Sequence, residues 1–458
     1  LAVGSPSSDA AGAPRRLLRP ADVVAITVGI VIGAGIYKTP SMVAGVTGDV
    51  GWAMVAWALG AIVALAGALC YAELATAYPH AGGDYYFLTR AFGRHTSFLY
   101  AWARSTVINS GSIALLAFVF GDYMSTVVPL GKASGATWAA GIVVALTLLN
   151  IAGLRASAGT QNLLLFVEVG GLLVVAAAGF LAPPVATATP AAFSTTPALG
   201  MFGLAMVFVL LTYGGWNEAA YVSAEIEGGR RAIVSALVIS LLIIAAVYLL
   251  ANAALLYGLG LKGLADSKAA GAEVMERTFG PAGRTALGLF VAVSALTSIN
   301  ATMIVGARTN YAMARDWPAL RFMGGWHATR GTPVAAFVVQ GAIALALVGF
   351  GALQHDGFEA MVEFTAPVFW TFLLLVGVAL FVLRARDGGA ERPFRVPLYP
   401  LTPIVFCASC AWLAYSSITY AASRNSVHIS LLVMAAGVVA LLFARGGRMR
   451  RRVAAADD

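Results

Sequence analysis

Long apolar runs separated by short polar connections repeat along the chain from residue 20 to residue 445. Each run approaches or exceeds the roughly 20 residues that a helix needs to cross hydrocarbon. The pattern predicts about twelve helices. In the first half they run roughly over 20–46, 50–77, 95–129, 137–155, 159–182 and 198–225. In the second half they run roughly over 230–258, 283–314, 333–352, 358–384, 398–422 and 427–445. The third and eighth exceed what a bilayer requires, which predicts tilt or extension into solvent. The expected fold class is an all-α polytopic membrane protein.

Two of the runs carry glycine where an unbroken helix would not. Val28 to Tyr37 reads Val-Gly-Ile-Val-Ile-Gly-Ala-Gly-Ile-Tyr, with Gly29, Gly33 and Gly35. A helix-interior glycine costs roughly 1 kcal/mol against alanine. Irregular backbone at membrane depth persists only where it lines a cavity or is buried in protein. Gly33-Ala34-Gly35 is therefore expected to be an unwound hinge. The sixth run repeats the anomaly in Thr212-Tyr213-Gly214-Gly215-Trp216-Asn217, with Asn217 suited to cap a restarted helix. Helices one and six open successive five-helix sets, and interruptions at matching positions of two halves point to a transporter site near the bilayer midplane. A restarting helix offers free amide N–H groups to a carboxylate, and a stopping helix offers carbonyls to an ammonium. A zwitterionic amino acid presents both. Either glycine cluster alone reads equally well as close helix packing, since Gly29 and Gly33 form a Gly-x-x-x-Gly face. Their pairing favours a site.

Composition sharpens the class. Of the 458 residues, 60% are hydrophobic and 11% charged, against about 25% charged in soluble proteins. The net charge of +8 is no nucleic-acid signal, because the basic residues sit in short clusters between apolar runs. With the N-terminus cytoplasmic, the inner loops collect most of the arginines. The outer loops keep Lys132, Lys262, Lys268, Arg277, Arg284 and Arg424. That asymmetry predicts both termini inside and an even helix count. Residues 1–19 do not read as a cleaved signal peptide. Residues 259–282 form the longest outer connection, a charged amphipathic stretch able to lie on the surface. Cys70, Cys407 and Cys410 fall in apolar runs, and the Cys407–Cys410 spacing lacks the other ligands of a zinc site. His80, His95, His327, His355 and His428 are scattered. No Walker loop, dinucleotide fingerprint or serine triad context appears, so neither ATP-driven transport nor enzymatic chemistry is expected. No metal or cofactor is expected.

Several motifs, taken in order, resemble one family. Gly33-Ala34-Gly35-Ile36-Tyr37 resembles the Gly-Ser/Ala-Gly-Ile-Phe signature of the amino acid–polyamine–organocation superfamily. Tyr213-Gly214-Gly215-Trp216-Asn217 looks like the sixth-helix motif of its bacterial L-type amino acid transporter branch. The Pro79-His80-Ala81-Gly82-Gly83-Asp84-Tyr85 loop, Asn310-Tyr311-Ala312-Met313-Ala314-Arg315-Asp316 and the Arg392-Pro393-Phe394-Arg395-Val396-Pro397 turn fit the same family. The resemblance spans about residues 20 to 445. It implies a leucine-transporter-type fold: a five-helix repeat over 20–182, an inverted second repeat over 198–384, and two extra helices over 398–445. Cytoplasmic tails over 1–19 and 446–458 complete the chain, in a bacterial-type inner (plasma) membrane. The resemblance also implies that the Ala34 and Gly35 amides, near Gly33, hold the substrate carboxylate. Carbonyls of Val31, Leu211 and Gly214 then hold the amino group, while Thr212, Tyr213, Trp216 and Asn217 line or gate the side-chain pocket. Ala34 lacks the hydroxyl that some relatives carry, which backbone donation does not need.

Ionisable residues inside a membrane span are functional candidates by default. Glu168 in the fifth helix stands where, by the resemblance, many members carry lysine. It is either a proton carrier or a structural ion-pair or hydrogen-bond partner. Glu218 follows the second break and either faces the side-chain pocket or pairs with Arg104 of the third helix, for which Glu168, Glu218 and Glu73 are the candidate partners. Lys38 either moves with the outer half of helix one or snorkels to the surface, the latter being the simpler reading. Glu225 and Glu73 are gate candidates, Glu225 by way of Arg230 or Arg231, and Glu363 is expected to be solvated near the outside. The expected function is a secondary active permease moving L-amino acids by alternating access, as proton symporter or exchanger. Its expected partners are a small-molecule substrate, the lipid bilayer and, for symport, protons. The alternative is a polyamine or organic amine carrier, suggested by the acidity of Glu168 and Glu218. A receptor or channel is disfavoured by short tails and the lack of a repeated filter motif.

Overall fold

The computed structural model describes residues 20–78, 80, 83–153, 158–183, 192–217, 229–327, 332–389, 391–424 and 427–454. Among these, regular structure is helical throughout apart from one bridge between His327 and Thr332. The first apolar run is split into α1 (Pro20–Val31), a 3-10 turn (Ala34–Tyr37) and α2 (Thr39–Thr47). It is followed by α3 (Val50–Ala77), α4 (Asp84–Phe92), α5 (Arg94–Val127), α6 (Ser134–Ile151), α7 (Ala158–Leu181) and α8 (Leu199–Thr212). The second half contains α9 (Gly229–Asp266), α10 (Ala270–Asp316), α11 (Val334–Ala352), α12 (Gly357–Arg386), α13 (Leu401–Ser423) and α14 (Val427–Ala454). Eight of these are long and apolar enough to cross a membrane, with shorter apolar helices at Glu168–Leu181, Leu199–Thr212 and Val427–Phe443. The chain is an all-α polytopic membrane protein.

The ends of these helices are written locally. Gly48 takes the left-handed conformation (φ 60°) that closes α2, and its N–H reaches the Ala44 carbonyl. Glycine is favoured there because it carries no Cβ. Asp49 then caps α3 by accepting from the Trp52 N–H at 3.1 Å. Its carboxylate also accepts from the Phe193 and Ser194 amides at 3.0 and 2.8 Å, clasping the segment after α7 to the turn. Burial pushes the Asp49 carboxyl up, but these backbone donors outweigh it and bring the group down to about 2. Asp356 caps α12 in the same way through the Glu359 N–H.

The two halves interleave. The core packs α10 against α5, α9 against α3 and α7, and α12 against α13. α5 is not uniform: Arg104–Asn109 forms a π-helical segment, where the Ser110 hydroxyl donates back to the Ser105 carbonyl at 2.7 Å. Such segments recur at functional sites.

The expected spans hold, with three differences. Part of the loop expected from Pro79 to Tyr86 is the start of α4, a short amphipathic helix whose apolar residues, such as Phe87 and Leu88, are buried. Residues 259–282, expected as a charged amphipathic connection, form short helical stretches set off by kinks at Gly260 and Gly280, with Leu264, Ala270, Ala272 and Val274 buried on one side. Helix six restarts by Trp216, so Asn217 lies inside the new turn and does not cap it.

Candidate substrate site

The first break is short and lined by small residues. α1 stops at Val31, Gly33 is extended, and the 3-10 turn from Ala34 to Tyr37 leads into α2. A Cβ built on Gly35 would meet the Thr212 side chain at 3.9 Å, and one on Gly33 would meet the Ser298 hydroxyl of α10 at 3.5 Å. The first amides of a helical turn have no intrahelical acceptor. The glycines therefore bring backbone donors close to the end of α8.

The second break lies against the first. α8 ends at Thr212, and the chain turns through Tyr213, Gly214 and Gly215, the last at φ 102°, a value suited to glycine. The Leu211 carbonyl accepts from the Gly214 N–H at 3.1 Å inside this turn. Three contacts join the breaks. The Thr212 hydroxyl bonds the Thr39 hydroxyl at the head of α2 at 2.7 Å. The Tyr248 hydroxyl of α9 donates to the Val31 carbonyl at 2.9 Å and to the Thr212 carbonyl at 3.2 Å. One fully buried phenol thus touches the carbonyl ends of both broken helices.

Aromatic rings fix the second break to the surrounding helices. Tyr213 donates to the Trp57 carbonyl at 3.1 Å, and its ring lies 5.0 Å from Tyr248 and 6.0 Å from Trp57. Trp216 packs edge-on to Tyr71 (5.3 Å) and Phe406 (5.8 Å). Gly67 admits its ring: a Cβ there would stand 2.5 Å from the indole. Both side chains were expected to line or gate a pocket. In this structure the Tyr213 ring packs against α3 and α9, and the Trp216 ring against α3 and α13.

Glu168 sits beside this junction. Its carboxylate accepts from Ser294 at 2.8 Å and, more weakly, from Thr297 at 3.4 Å, both on α10. It lies close enough to Tyr37 and Tyr248 to interact with them electrostatically. Its contacts place it among hydroxyls between α7 and α10.

A family model described as amino acid permease matches residues 18–442. The chain belongs to the amino acid permease family. It is similar to the serine/threonine exchanger SteT of Bacillus subtilis (strain 168), with 29% identity over 90% of this chain and 93% of the relative. The b(0,+)-type amino acid transporter 1 of Mus musculus is 27% identical over 92% of this chain and 86% of its own. The cystine/glutamate transporter of Homo sapiens is also 27% identical, over 86% and 79% respectively. The family consists of transporters, and the permease is not an enzyme.

The other described charged candidates of the permease pair with partners outside the junction. Lys38 does not snorkel: its side chain is fully buried, with Nζ 2.8 Å from Asp122 and 3.2 Å from Asp356. Glu363 is not solvated either; it is 5% exposed and faces Arg424 at 3.5 Å. Arg104 donates to the Tyr100 hydroxyl at 2.8 Å, and Tyr100 donates in turn to Asp84 at 2.8 Å. Of the three acids expected for it, Glu168 is bonded as above and Glu73 is engaged by Arg384 and Arg392, while Glu218 lies outside the described residues. Glu73 is buried and fully engaged. It accepts from Arg384 through both oxygens, from the Val396 N–H at 2.7 Å, and faces Arg392 at 3.6 Å. It thereby ties α3 to the end of α12 and to the proline-punctuated turn. Glu218 and Glu225 lie outside the described residues.

The residues that sequence reasoning missed are Tyr248, Thr39, Ser294, Thr297 and Ser298. Their signal was present but weak. Tyr248 is one of two phenols in an apolar helix, with Tyr257, and Ser294, Thr297 and Ser298 place three hydroxyls close together in another. A hydroxyl in a span can also bond its own helix carbonyls, so its presence alone does not point across the protein.

Proposed function

We propose that the permease carries L-amino acids by alternating access, with the substrate bridging the two helix breaks. The observation that carries this reading is the Tyr248 hydroxyl, which reaches the Val31 and Thr212 carbonyls together. The substrate carboxylate is assigned to the Ala34 and Gly35 amides beside Gly33, and its amino group to the carbonyls of Val31, Leu211 and Gly214. Thr212, Asn217 and Glu218 are assigned to the side-chain end, with Tyr213 and Trp216 holding the turn in place. The two repeats are assigned to 20–182 and 198–384, followed by the helices of 398–445, and the bundle that carries both broken helices, one from each repeat, rocks against the remaining scaffold. The tails of 1–19 and 446–458 are assigned to the cytoplasm, a reading supported by the arginine asymmetry of the loops. The protein is assigned to a bacterial-type inner membrane, a reading supported by the likeness to a Bacillus subtilis exchanger.

Two couplings fit. Exchange is supported by the likeness to a bacterial serine/threonine exchanger. Proton symport is supported by Glu168, a carboxylate in a span whose bonds come from hydroxyls, which can serve either protonation state of the acid. The test is uptake into proteoliposomes across a panel of amino acids and amines, with and without a pH gradient and with substrate on the far side. Saturable flux of an amino acid is expected; uptake of polyamines alone would overturn the reading. Acceleration by trans substrate selects exchange, and loss of gradient-driven uptake in Glu168→Gln selects symport.

A further inference from the structure

We propose that Lys38, Asp122 and Asp356 form the latch that closes the protein on the face toward which α2 leads. It is shut in this structure and opens when that face admits substrate. The proposal rests on the alternating-access reading above. Lys38 is the residue at which the first break ends and α2 begins. The chain can therefore pivot just before it. Its ammonium crosses from α2 to two other elements at once, Asp122 in the last turns of α5 and Asp356 at the head of α12, 84 and 318 residues away. The neighbouring residues repeat the connection: the Tyr123 hydroxyl donates to the Tyr37 carbonyl at 2.9 Å. The Phe358 ring covers the ammonium at 6.0 Å.

The chemistry suits a contact that must both form and break. Burying two charges costs nearly what their attraction returns, so a buried pair adds little net stability over an apolar contact. On separation, water rehydrates both partners. An apolar plug would be penalised for the same exposure. The acids are also arranged to lose the lysine without losing their places. Asp356 caps α12 through Oδ1 and offers Oδ2 to Lys38. Lys268 acts electrostatically on both carboxylates, so a cation stays near them when Lys38 leaves. The lysine side chain is wholly buried, whereas Asp122 and Asp356 are 20% and 14% exposed. Opening therefore hydrates chiefly the lysine.

The test uses a reporter buried on α2 beside the latch. Ser41 lies one turn beyond Lys38, is 1% exposed, and its hydroxyl has no partner. In a Ser41→Cys protein, a membrane-impermeant thiol reagent is applied in turn to intact cells and to inverted vesicles. The parent serves as the blank for Cys70, Cys407 and Cys410. Lys38→Met is expected to raise the labelling rate of the introduced thiol at least tenfold from the α2 face alone. Asp122→Asn, a milder change that keeps the side-chain shape, is expected to raise it severalfold. Unchanged labelling in both overturns the latch. Labelling needs no substrate, so the latch and the amino acid reading fail separately. A second measurement closes it: joining Lys38→Cys to Asp122→Cys with a short reducible bifunctional thiol reagent. Uptake is expected to cease and to return on reduction. Uptake undiminished by complete cross-linking overturns the proposal.

Discussion

The two helix breaks meet at one point but differ in the balance of what holds them. Rings also meet Tyr37 at the first, and hydrogen bonds from Tyr213 and Tyr248 also serve the second, yet polar contacts dominate the one and ring packing the other. The first is flanked by Gly33, Ala34 and Gly35, and its neighbours reach it through polar contacts: Thr39 to Thr212, Tyr248 to Val31, Tyr123 to Tyr37. The second is gripped by rings, with Tyr213 against Trp57 and Tyr248, and Trp216 against Tyr71 and Phe406. Hydrogen bonds and ion pairs are directional and can be traded for water or ligand. Close-packed aromatic surface offers no such exchange. The difference separates contacts that can change partners from packing that resists change.

The largest effect is expected at the fixed part. Trp216→Ala empties the space between Gly67, Tyr71 and Phe406 and is expected to cost about 3–5 kcal/mol, read as a large drop in thermal unfolding temperature in detergent. A change of less than ~1 kcal/mol would show that the ring is not buried as the comparison requires. Next comes the junction. Tyr248→Phe keeps the ring stack and removes the bond to both carbonyls. It is expected to shift the apparent KM for uptake by about tenfold, equivalent to ~1.4 kcal/mol, while unfolding moves little. An equal loss in both measurements would make Tyr248 part of the fixed scaffold. Thr39→Val removes one hydroxyl pair between α2 and α8 and is expected to cost about 1 kcal/mol, seen as a modest loss of stability with uptake retained.

The smallest effect concerns the far end of α2. The Asp49 carboxyl sits below its ordinary value of 3.8, at about 2, in the folded protein. A depressed value means that its contribution is complete above the unfolded value and is lost as pH falls through the folded one. The gap in thermal stability between the parent and Asp49→Asn is expected to be constant from pH 5 to 8, by this linkage roughly flat. It should narrow from about pH 4 toward pH 2. A gap that persists unchanged at the acid end would assign the clasp to shape and not to charge.

Both breaks were legible because glycine in an apolar run is a local signal. So were the spans, since hydropathy is also local. Lys38 was not, because its partners stand far along the chain and no local pattern separates a buried lysine from one that reaches for water. Glu363 and Glu73 fail for the same reason: their arginines arrive from another helix or turn. α4 was hidden by its brevity, and residues 259–282 by charges that mask a buried apolar side. Trp216 and Tyr213 were placed correctly on the break, but the direction of a ring depends on what opens to receive it, here Gly67 and Trp57.

Tyr248 carries one further consequence. A phenol has a single hydrogen to give, and here two carbonyls stand within reach of it. It can serve one fully or both poorly, so the pair is always a donor short. An ammonium brings three hydrogens. On the reading proposed above, the amino group of a substrate would complete that count.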